Sequence, residues 1–366
     1  MNKILLIGNS GFEHNSYDGQ TVKVRLYFKK IQDEGFDVTF VDLENFAKRP
    51  FSILKAIRKG ISSCDRIVLI SAKRGCKFLI PYINRHNKKL NKPFILPLIG
   101  TSVLHHSIDR LSDEQKNDFL INGNYSLCKS NKKMSKQLSR ISAILPETDL
   151  LVKVFKEFYN LDNVFQLNNF REEQHFEFNS IDSNELRIIF ASRVMKMKGI
   201  FDVLSTIDTL NKSGTSISMD IYGKKVLDAS QEEMFNNYLK NRSFNYFGQI
   251  DNNLVCQTIS KYDLFVFPTH FIGEGTPGVI VESLIAGVPI LTSNFPQAKY
   301  LLKDGNDSVF YKMFDNEDLK QKLLSIAKNK DFLKALKNNA KISGEKYTYK
   351  KERKTFLKYV CGMEEL

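Results

Sequence analysis

Two glutamates, Glu274 and Glu282, stand with seven residues between them in a stretch that passes from a loop into a helix. The apolar run 264–267 before them predicts a buried strand. Thr276 and Pro277 predict the start of a helix, because a hydroxyl favours the N-cap and proline favours the first helical position. An anion placed before such a helix meets free backbone N–H groups and the positive end of the helix dipole. The stretch therefore predicts a site for a ligand that carries an anionic group together with hydroxyls, which carboxylates bind.

The helix itself has a predicted inner face. Apolar residues repeat with helical spacing and are expected to pack on the core: Val281, Leu284, Ile285 and Val288. Glu282 lies off this stripe. Gly287 and Pro289 predict the end of the helix. The alternative interpretation is a surface helix with an ordinary acidic first turn.

A second segment, further upstream, supplies positive charge. Residues 187–190 predict a short strand, and a loop with Arg193 and Lys198 follows it before a helix that starts near Ile200. Charge-assisted hydrogen bonds to phosphate are strong, and a leaving nucleoside diphosphate gains negative charge in the transition state. The two cations therefore predict the binding of a diphosphate. The alternative is a pair of solvated basic residues in a loop.

Together the two segments resemble the retaining glycosyltransferases of family 4, whose fold is called GT-B. The positions of the first segment that match the family's signature are Glu274, Gly275, Pro277, Glu282, Gly287 and Pro289. In the second segment, Arg193 and Lys198 hold the places of the Arg and Lys that grip the donor's phosphates in that family. The sequence departs from the pattern with Ser283 in place of Ala, Ser192 in place of Gly and Met197 in place of Glu.

The resemblance implies roles for these and for several less distinct positions. Catalytic groups are expected at Glu274, Arg193, Lys198 and His105. Donor-binding groups are expected at Gly19, Gly223, Gly248, Gly275, Thr276, Pro277, Gly278 and Glu282. His105 corresponds to a histidine near the reacting sugar carbon, and Gly19 to a glycine loop near the donor phosphates and the acceptor. The alternatives are a structural histidine and a plain turn before a helix.

Two of the donor-binding glycines follow predicted strands. Gly223 matches the first glycine of a Gly-x-Gly in the family, but Lys225 replaces the second. Gly248 follows Phe247 at a place where the nucleobase lies in the family. The resemblance therefore implies that backbone at both glycines approaches the donor.

The length of 366 residues suits two domains. Strands are predicted at 3–7, 36–41, 66–71, 94–99, 143–146, 186–191, 217–222, 244–247, 264–267 and 288–292, the first two joined by a helix at 21–34. The polar stretch 165–184 predicts the connection between the domains, and 345–360 predicts a basic helix. The resemblance implies an α/β architecture of two Rossmann-like, doubly wound parallel-sheet domains that face each other across a cleft. We expect an acceptor-binding domain at 1–170, a donor-binding domain at 171–345, and a C-terminal helix at 346–366 that crosses back to the first domain.

Patterns typical of several other protein classes are missing. The sequence has no Gly-x-x-x-x-Gly-Lys-Ser/Thr loop and no Gly-x-Gly-x-x-Gly after the first strand, which argues against an NTPase and a dinucleotide-dependent oxidoreductase. It lacks the Asp-x-Asp metal clamp of the other large transferase fold, so no metal or other cofactor is expected. The five cysteines have no CxxC spacing and predict free thiols in a cytoplasmic protein. The apolar N-terminal run is too short for a signal peptide, and no segment has the ~20 apolar residues of a spanning helix.

Positive charge is concentrated in the first half of the chain. Residues 1–170 carry 27 Lys and Arg against 16 Asp and Glu, whereas residues 171–366 carry 27 against 25. Within 51–100, eleven bases accompany a single acid, Asp65. Hydrophobic residues such as Phe46 and Phe51 intermingle with these bases, as in basic amphipathic segments at membrane surfaces. We expect contact with anionic membrane through Lys48, Arg49, Lys55, Arg58, Lys59, Lys73, Arg74 and Lys77. The alternative is a solvated basic face with the aromatic residues in the core.

These observations predict a metal-independent, retaining glycosyltransferase that moves a hexose from a nucleotide sugar, expected to be a UDP-sugar, to a bacterial surface glycan or its lipid-linked precursor. The expected location is the cytoplasm, with peripheral attachment to the inner face of the cell membrane. One alternative is a nucleotide-sugar epimerase of the same fold, which needs no acceptor. Another is a non-catalytic basic scaffold or nucleic-acid protein. The intact carboxylate and cation pairs argue against that scaffold, and no aromatic-basic RNA motif is present.

Overall fold

The computed structural model describes residues 3–13, 18–129, 131–174, 176 and 184–363, without the side chains of His105 and His106. The chain divides into two compact units. Unit 1 comprises Met1–Asn169 together with Glu352–Leu366, and unit 2 comprises Phe170–Lys351. Most of the predicted connection at 165–184 falls at the start of unit 2, and its residues 175 and 177–183 lie outside the described part of the chain.

Unit 1 is built on a parallel sheet. Its strands are β1 (Lys3–Gly8), β2 (Asp37–Asp42), β3 (Arg66–Ile70), β4 (Phe94–Pro97) and β5 (Ala143–Leu145). Its helices are α1 (Gly19–Asp33), α2 (Pro50–Ser63), α3 (Lys73–Asn87), α4 (His105–Ile108), α5 (Asp113–Asn117), α6 (Lys132–Leu138) and α7 (Asp149–Tyr159). The strand order is β2-β1-β3-β4-β5, with every pair parallel. In this order the direction of winding reverses between β1 and β3, which is where doubly wound folds bind ligands.

Unit 2 has a second parallel sheet. Its strands are β6 (Leu186–Ala191), β7 (Ile217–Tyr222), β8 (Phe244–Gly248), β9 (Leu264–Phe267), β10 (Ile290–Ser293) and β11 (Ser308–Tyr311). Its helices are α8 (Ile200–Lys212), α9 (Ala229–Tyr238), α10 (Val255–Ile259), α11 (Gly278–Ile285), α12 (Ala298–Leu301), α13 (Asn316–Lys328) and α14 (Lys330–Gly344), and α15 (Tyr349–Phe356) runs on into unit 1. The strand order is β11-β10-β9-β6-β7-β8, so that the winding reverses between β6 and β9.

The central strands are buried on both faces. Ile4, Leu5, Leu6 and Ile7 of β1 have no exposed surface, and neither do Leu264 and Phe265 of β9. Near-continuous apolar runs are what a parallel sheet covered by helices on both faces requires. The strand pattern in the sequence thus predicted the five strands of the first sheet and five of the six strands of the second.

Several boundaries differ from the sequence prediction. Helix α1 begins at Gly19, because the Asp18 side chain accepts from Thr21 N at 2.9 Å while Thr21 Oγ1 accepts from Asp18 N at 2.9 Å. Strand β11 was not predicted, since its four residues form too short a run to be recognised. Strand β10 starts at Ile290 and not at 288, because Val288 N donates to Ser283 O at 2.9 Å and so belongs to the end of α11.

Helix α11 begins one position later than predicted. Pro277 is the N-cap, with φ −58° and ψ 125°, so that Thr276 is not the capping residue. Proline restricts φ but leaves ψ free to take the extended value that an N-cap needs. At the other end, Gly287 has φ +66° and its N–H donates to Leu284 O, while Val288 N donates to Ser283 O. These two hydrogen bonds form a Schellman motif at the C-terminus of the helix.

The predicted helix at 345–360 is interrupted. Glu345–Tyr347 form a 3₁₀ turn, Thr348 is extended with φ −81° and ψ 149°, and α15 starts only at Tyr349. Thr348 leaves the helix because the backbone here pairs with Arg171: Arg171 N donates to Tyr347 O at 2.9 Å, and Tyr349 N donates to Arg171 O at 2.8 Å. A tertiary hydrogen-bond pair therefore overrides the helical pattern.

Candidate active site in the second unit

The site lies where the winding of the second sheet reverses. Strands β6 and β9 are parallel neighbours, with Ile188 opposite Leu264 and Ile189 opposite Phe265. The loops that follow them therefore leave from the same carboxyl edge of the sheet. These loops contain the two sequence segments predicted to carry the chemistry, 192–199 and 268–277. Topology thus brings both segments to the position where doubly wound folds bind ligands.

The two loops are joined through their backbones. His270 N donates to Met197 O at 2.9 Å. Gly199 has φ +71°, and a Cβ at this position would lie 1.9 Å from Pro268 O, so only glycine permits this approach. The side chain before it, Lys198, is therefore held against the loop that carries Glu274.

Lys198 and Glu274 form a buried ion pair between Nζ and Oε1. Lys198 is 8% exposed and Glu274 is 9% exposed. Thr269 Oγ1 donates to the same Oε1 at 2.8 Å, and Gln297 Nε2 donates to Glu274 O at 2.6 Å. An ammonium has three N–H donors, so Lys198 can bind an incoming anion in addition to Glu274. The pair places a cation and a carboxylate side by side in a largely desolvated position.

Residues that the sequence analysis missed hold this carboxylate in place. Thr269 is fixed by Ser293 Oγ, which donates to Thr269 O at 2.5 Å. His270 Nε2 lies 2.6 Å from Asp202 Oδ2, and its ring centroid is 4.5 Å from that of Phe314. Thr269 and Ser293 lie at the carboxyl ends of the neighbouring strands β9 and β10. This position after or at the end of a predicted strand is the sequence signal that could have identified them as site residues.

The second glutamate has a partner that the sequence did not reveal. Arg171 Nε donates to Glu282 Oε1 at 2.7 Å, with side chains 12% and 13% exposed. A Cβ at Gly278 would lie 2.1 Å from Arg171 Nη2, so the guanidinium occupies the space that glycine leaves open at the start of α11. Within the described residues Glu282 makes no other hydrogen bond, which leaves carboxylate acceptor capacity for a ligand hydroxyl.

Arg193 lies near two of the predicted glycines. The residue is exposed and makes no ion pair with any residue in the described ranges. Gly223 has φ +134°, and a Cβ there would lie 1.8 Å from Ser192 O, directly before Arg193. Gly223 N donates to Gly248 O at 2.6 Å. The structure thus brings the loops after β6, β7 and β8 together around Arg193. This packing requires glycine at 223, whereas nothing lies within 4 Å of a Cβ built at Gly248, where the φ of +74° is what favours glycine.

An aromatic surface adjoins these glycines. The Phe247 ring is 55% exposed and stacks on Tyr222 with centroids 5.1 Å apart and planes 16° apart. Tyr262 OH donates to Asp220 Oδ2 at 2.6 Å and lies 3.3 Å from Tyr222 OH. Burial, followed by the hydrogen bond to Asp220, raises the pKa of Tyr262, so the phenol stays protonated and donates. A flat, exposed ring over a fixed second ring can stack a planar ligand group.

The remaining predicted residues are located as follows. Lys225, which replaces a glycine of the expected motif, pairs with Glu232 at 2.6 Å. Gly275, Thr276 and Pro277 form the turn that leads into α11, and Thr276 is buried. Gly19 and His105 belong to unit 1. Nothing lies within 4 Å of a Cβ built at Gly19, so the fold itself does not require glycine there. His105 begins α4, and its side chain lies outside the described part of the chain.

In the ranges covered by the structure, no group of three or more His, Cys, Asp and Glu side chains is arranged to hold a metal ion. None of the helices described above is both long and apolar enough to cross a membrane. The five cysteines are free, and burial raises the pKa of Cys76 to about 12.

Known proteins match about half of the chain in sequence. The family described as Glycosyl transferases group 1 matches residues 171–343. The poly(glycerol-phosphate) alpha-glucosyltransferase of Bacillus subtilis is 24% identical, over 54% of this chain and 32% of that protein. The chain covers less than half the length of the curated relatives that it matches.

Solved structures resemble nearly the whole chain. The superposition on sucrose-phosphate synthase from Thermosynechococcus elongatus has a TM-score of 0.71 at 11% sequence identity, and it covers 97% of this chain and 97% of that one. The Anabaena protein HepE, solved in complex with UDP and glucose, has a TM-score of 0.68 at 11% identity and covers 99% of this chain and 100% of its own. The chain therefore has the GT-B fold, and its residues 171–343 are similar to glycosyltransferases of group 1.

Proposed function

We propose that the protein is a retaining glycosyltransferase of the family 4 type, which transfers a hexose from a UDP-sugar to a bacterial surface glycan or its lipid-linked precursor. The observation that carries this proposal is the buried Lys198–Glu274 pair at the point where the second sheet reverses, within the region matched by the group 1 family. Because burying charges is costly, an ion pair desolvated at this ligand-binding position favours a catalytic site over a scaffold.

The donor is assigned to unit 2. Glu282 accepts hydrogen bonds from the ribose hydroxyls, while Arg171 Nε donates to its Oε1. The exposed Phe247 ring stacks on the base. Glu274, with Gly275 to Gly278, faces the sugar and the diphosphate at the start of α11. Support for UDP comes from the similar Anabaena protein, which was solved with UDP and glucose.

The reaction follows from where negative charge develops. The bond between the anomeric carbon and the diphosphate oxygen breaks, and the acceptor hydroxyl oxygen forms its bond on the same face of the sugar. The hydroxyl proton passes to the leaving phosphate oxygen. Lys198 and Arg193 neutralise the charge that grows on this oxygen, which lowers the barrier without a metal ion. From unit 1, His105 is assigned to the reacting sugar carbon, and Gly19 to the donor phosphates and the acceptor.

The acceptor is assigned to unit 1 because of its charge. The basic residues expected to contact membrane lie before or on α2 and α3, and Lys48, Arg49, Lys55, Arg58, Lys59, Arg74 and Lys77 are exposed. Phe51 on α2 is 86% exposed beside them, which does not fit the alternative of aromatics packed in the core. The similar Bacillus enzyme is named for poly(glycerol-phosphate), a polyanion. A basic acceptor unit suits both an anionic glycan and a precursor held at an anionic membrane.

The direct test is product analysis. The protein is incubated with a panel of UDP- and GDP-hexoses, each with and without polyol-phosphate and lipid-linked acceptors, and products are identified by mass spectrometry and NMR. Hexose transfer with retained α-configuration is the expected result. Conversion of the donor to an epimer without acceptor would establish the epimerase instead, and no turnover of any donor despite UDP binding would contradict the proposal.

A further inference from the structure

Unit 1 contains a cavity of its own, separate from the site in unit 2. It has a volume of about 520 Å³, which lies in the ~300–1,000 Å³ range of small-molecule sites. Asn9, Leu43 and Ser71 line it, and each directly follows a strand: β1, β2 and β3. The cavity therefore opens at the carboxyl edge of the sheet where the winding reverses between β1 and β3. In a doubly wound sheet this is the expected position of a ligand.

The walls of the cavity are mostly apolar. They are formed by Leu43, Phe46, Ala72, Phe78 and Leu79. Phe78 lies in the second turn of α3 and is 66% exposed, although it adjoins this cavity. A large exposed aromatic side chain beside an apolar cavity favours a partner with an apolar segment. A bare sugar, which presents hydroxyls on every side, does not match such walls.

The rim of the cavity is cationic. Lys73 and Arg74, at the start of α3, line it together with the polar side chains of Asn9 and Gln20. Lys73 forms an ion pair with Asp109. Arg74 is exposed and makes no ion pair with any residue that the structure describes. One guanidinium without an ion pair in the described ranges therefore stands at the mouth of an apolar cavity, and phosphate is one of the two groups, with carboxylate, that a guanidinium binds bidentately.

The surroundings carry more positive charge. Helix α2 packs beside α3, with Tyr82 OH donating to Leu54 O at 2.9 Å. Burial, followed by the neighbouring charges of Arg58 on α2 and Arg85 on α3, lowers the pKa of His86. Cations of both helices thus act on the same surface.

We propose that this cavity binds the phosphate and the first apolar segment of a lipid phosphate, and that this lipid is the anchor of the acceptor. The phosphate contacts Arg74, and the chain next to it lies against Phe78 and Leu79. This assignment rests on the proposed function, since it names the acceptor class of that reaction. It adds the site and the two chemical groups that the site recognises.

Isothermal titration of the full chain with three soluble ligands tests the chemistry. Farnesyl phosphate, kept below its critical micelle concentration, carries both groups. Farnesol lacks the phosphate, and glycerol phosphate lacks the apolar chain. We expect farnesyl phosphate to bind at least tenfold more tightly than either of the others. Equal affinity for glycerol phosphate would assign the cavity to a polyol phosphate and overturn the lipid assignment, as would equal affinity for farnesol.

Paired variants test the location. Arg74→Gln should weaken farnesyl phosphate binding about tenfold, whereas Arg85→Gln, on the same helix but outside the cavity, should change it less than twofold. Phe78→Ala should weaken it severalfold, and Leu90→Ala, another exposed apolar residue, should not. Equal effects within either pair would overturn the proposal. Because these substitutions lie at exposed positions, retained thermal unfolding confirms that each variant is folded.

The test separates this proposal from the proposed function. UDP is titrated into the same samples. UDP binding and hexose transfer without farnesyl phosphate binding would overturn the cavity assignment alone. Farnesyl phosphate binding that depends on Arg74, without turnover of any nucleotide sugar, would contradict the proposed reaction and leave the lipid phosphate site in place.

Discussion

Arg171 and Glu282, 111 positions apart in the sequence, are joined by a hydrogen bond of 2.7 Å from Nε to Oε1. Arg171 is itself fixed by two backbone hydrogen bonds to Tyr347 and Tyr349. Glycine at 278 leaves room for its guanidinium against the first turn of α11. The orientation of Glu282 is therefore set by a residue at the beginning of unit 2, and if Glu282 binds the donor as proposed, both members of the pair should affect donor binding.

The first prediction concerns UDP binding. Glu282→Ala should weaken UDP binding by about 2–4 kcal/mol, because ribose hydroxyls lose their acceptor in a desolvated site. Arg171→Gln should cause a smaller loss, about 1 kcal/mol, because the carboxylate remains but is held less firmly. Titration calorimetry measures both, and the double variant should lose no more than Glu282→Ala. Near-normal UDP affinity in folded Glu282→Ala protein would contradict the assignment of this carboxylate.

The second prediction concerns the rate of transfer. Arg193→Ala should lower kcat by about 10²-fold or more, since its attraction to the leaving diphosphate grows in the transition state. The residue is exposed and unpaired among the described residues, so the variant should keep its thermal stability. Lys196→Ala, which removes another exposed cation of the same loop, is the matched control and should change kcat less than twofold. A loss confined to KM would mean that Arg193 binds only the ground state.

Lys198 should behave differently from Arg193. Lys198→Ala should lower kcat by a similar factor, but it also leaves Glu274 buried without its cation, which costs about 3–5 kcal/mol of stability. The double change Lys198→Met with Glu274→Gln should recover most of the stability and none of the activity. Addition of EDTA should leave the wild-type rate unchanged, and strict dependence on Mg²⁺ would contradict charge neutralisation by these two side chains.

The third prediction concerns membrane attachment. The protein should sediment with anionic vesicles and not with neutral ones, and more weakly as salt rises, because the Debye length falls from ~8 Å at physiological ionic strength to ~3 Å at 1 M. Changing Lys55, Arg58 and Lys59 to Glu should abolish sedimentation. The matched control changes three exposed cations of unit 2 to Glu: Lys328, Lys330 and Lys334. An equal effect of both triple variants, or equal sedimentation with both vesicle types, would mean that the basic residues form a solvated face and do not bind membrane.

The fourth prediction concerns pH and stability. Burial raises the pKa of Glu352, although Asn168 Nδ2 donates to its Oε1 at 2.7 Å. When the folded state raises the pKa of an acid, the contribution of that group to stability is complete below its unfolded pKa and is lost as pH rises through its folded pKa. Glu352→Gln, which keeps the acceptor for Asn168, should therefore raise the free energy of unfolding at pH 7 by up to about 1 kcal/mol. At pH 4 the two proteins should differ little, and a destabilised variant at pH 7 would contradict this.

The sequence alone determined the sheets and the segments that carry chemistry. Strands at 186–191, 217–222 and 264–267 were predicted with the bounds that the structure has. Apolar runs and turn residues are local signals, and they act on each strand separately. The sequence likewise identifies the loop with Lys198 and the turn with Glu274, because their residue types and spacing resemble a known signature.

Only the tertiary structure decided which side chains meet. Arg171 stood in a polar stretch without any motif, and nothing in its neighbourhood pointed to Glu282. The Lys198–Glu274 pair spans 76 positions, and it exists because β6 and β9 are adjacent in the sheet. Such contacts depend on strand order, register and the space left by glycines such as Gly199 and Gly278. These are properties of long-range packing. A local sequence pattern does not specify them, because burial and pairing depend on residues that are far apart in the sequence.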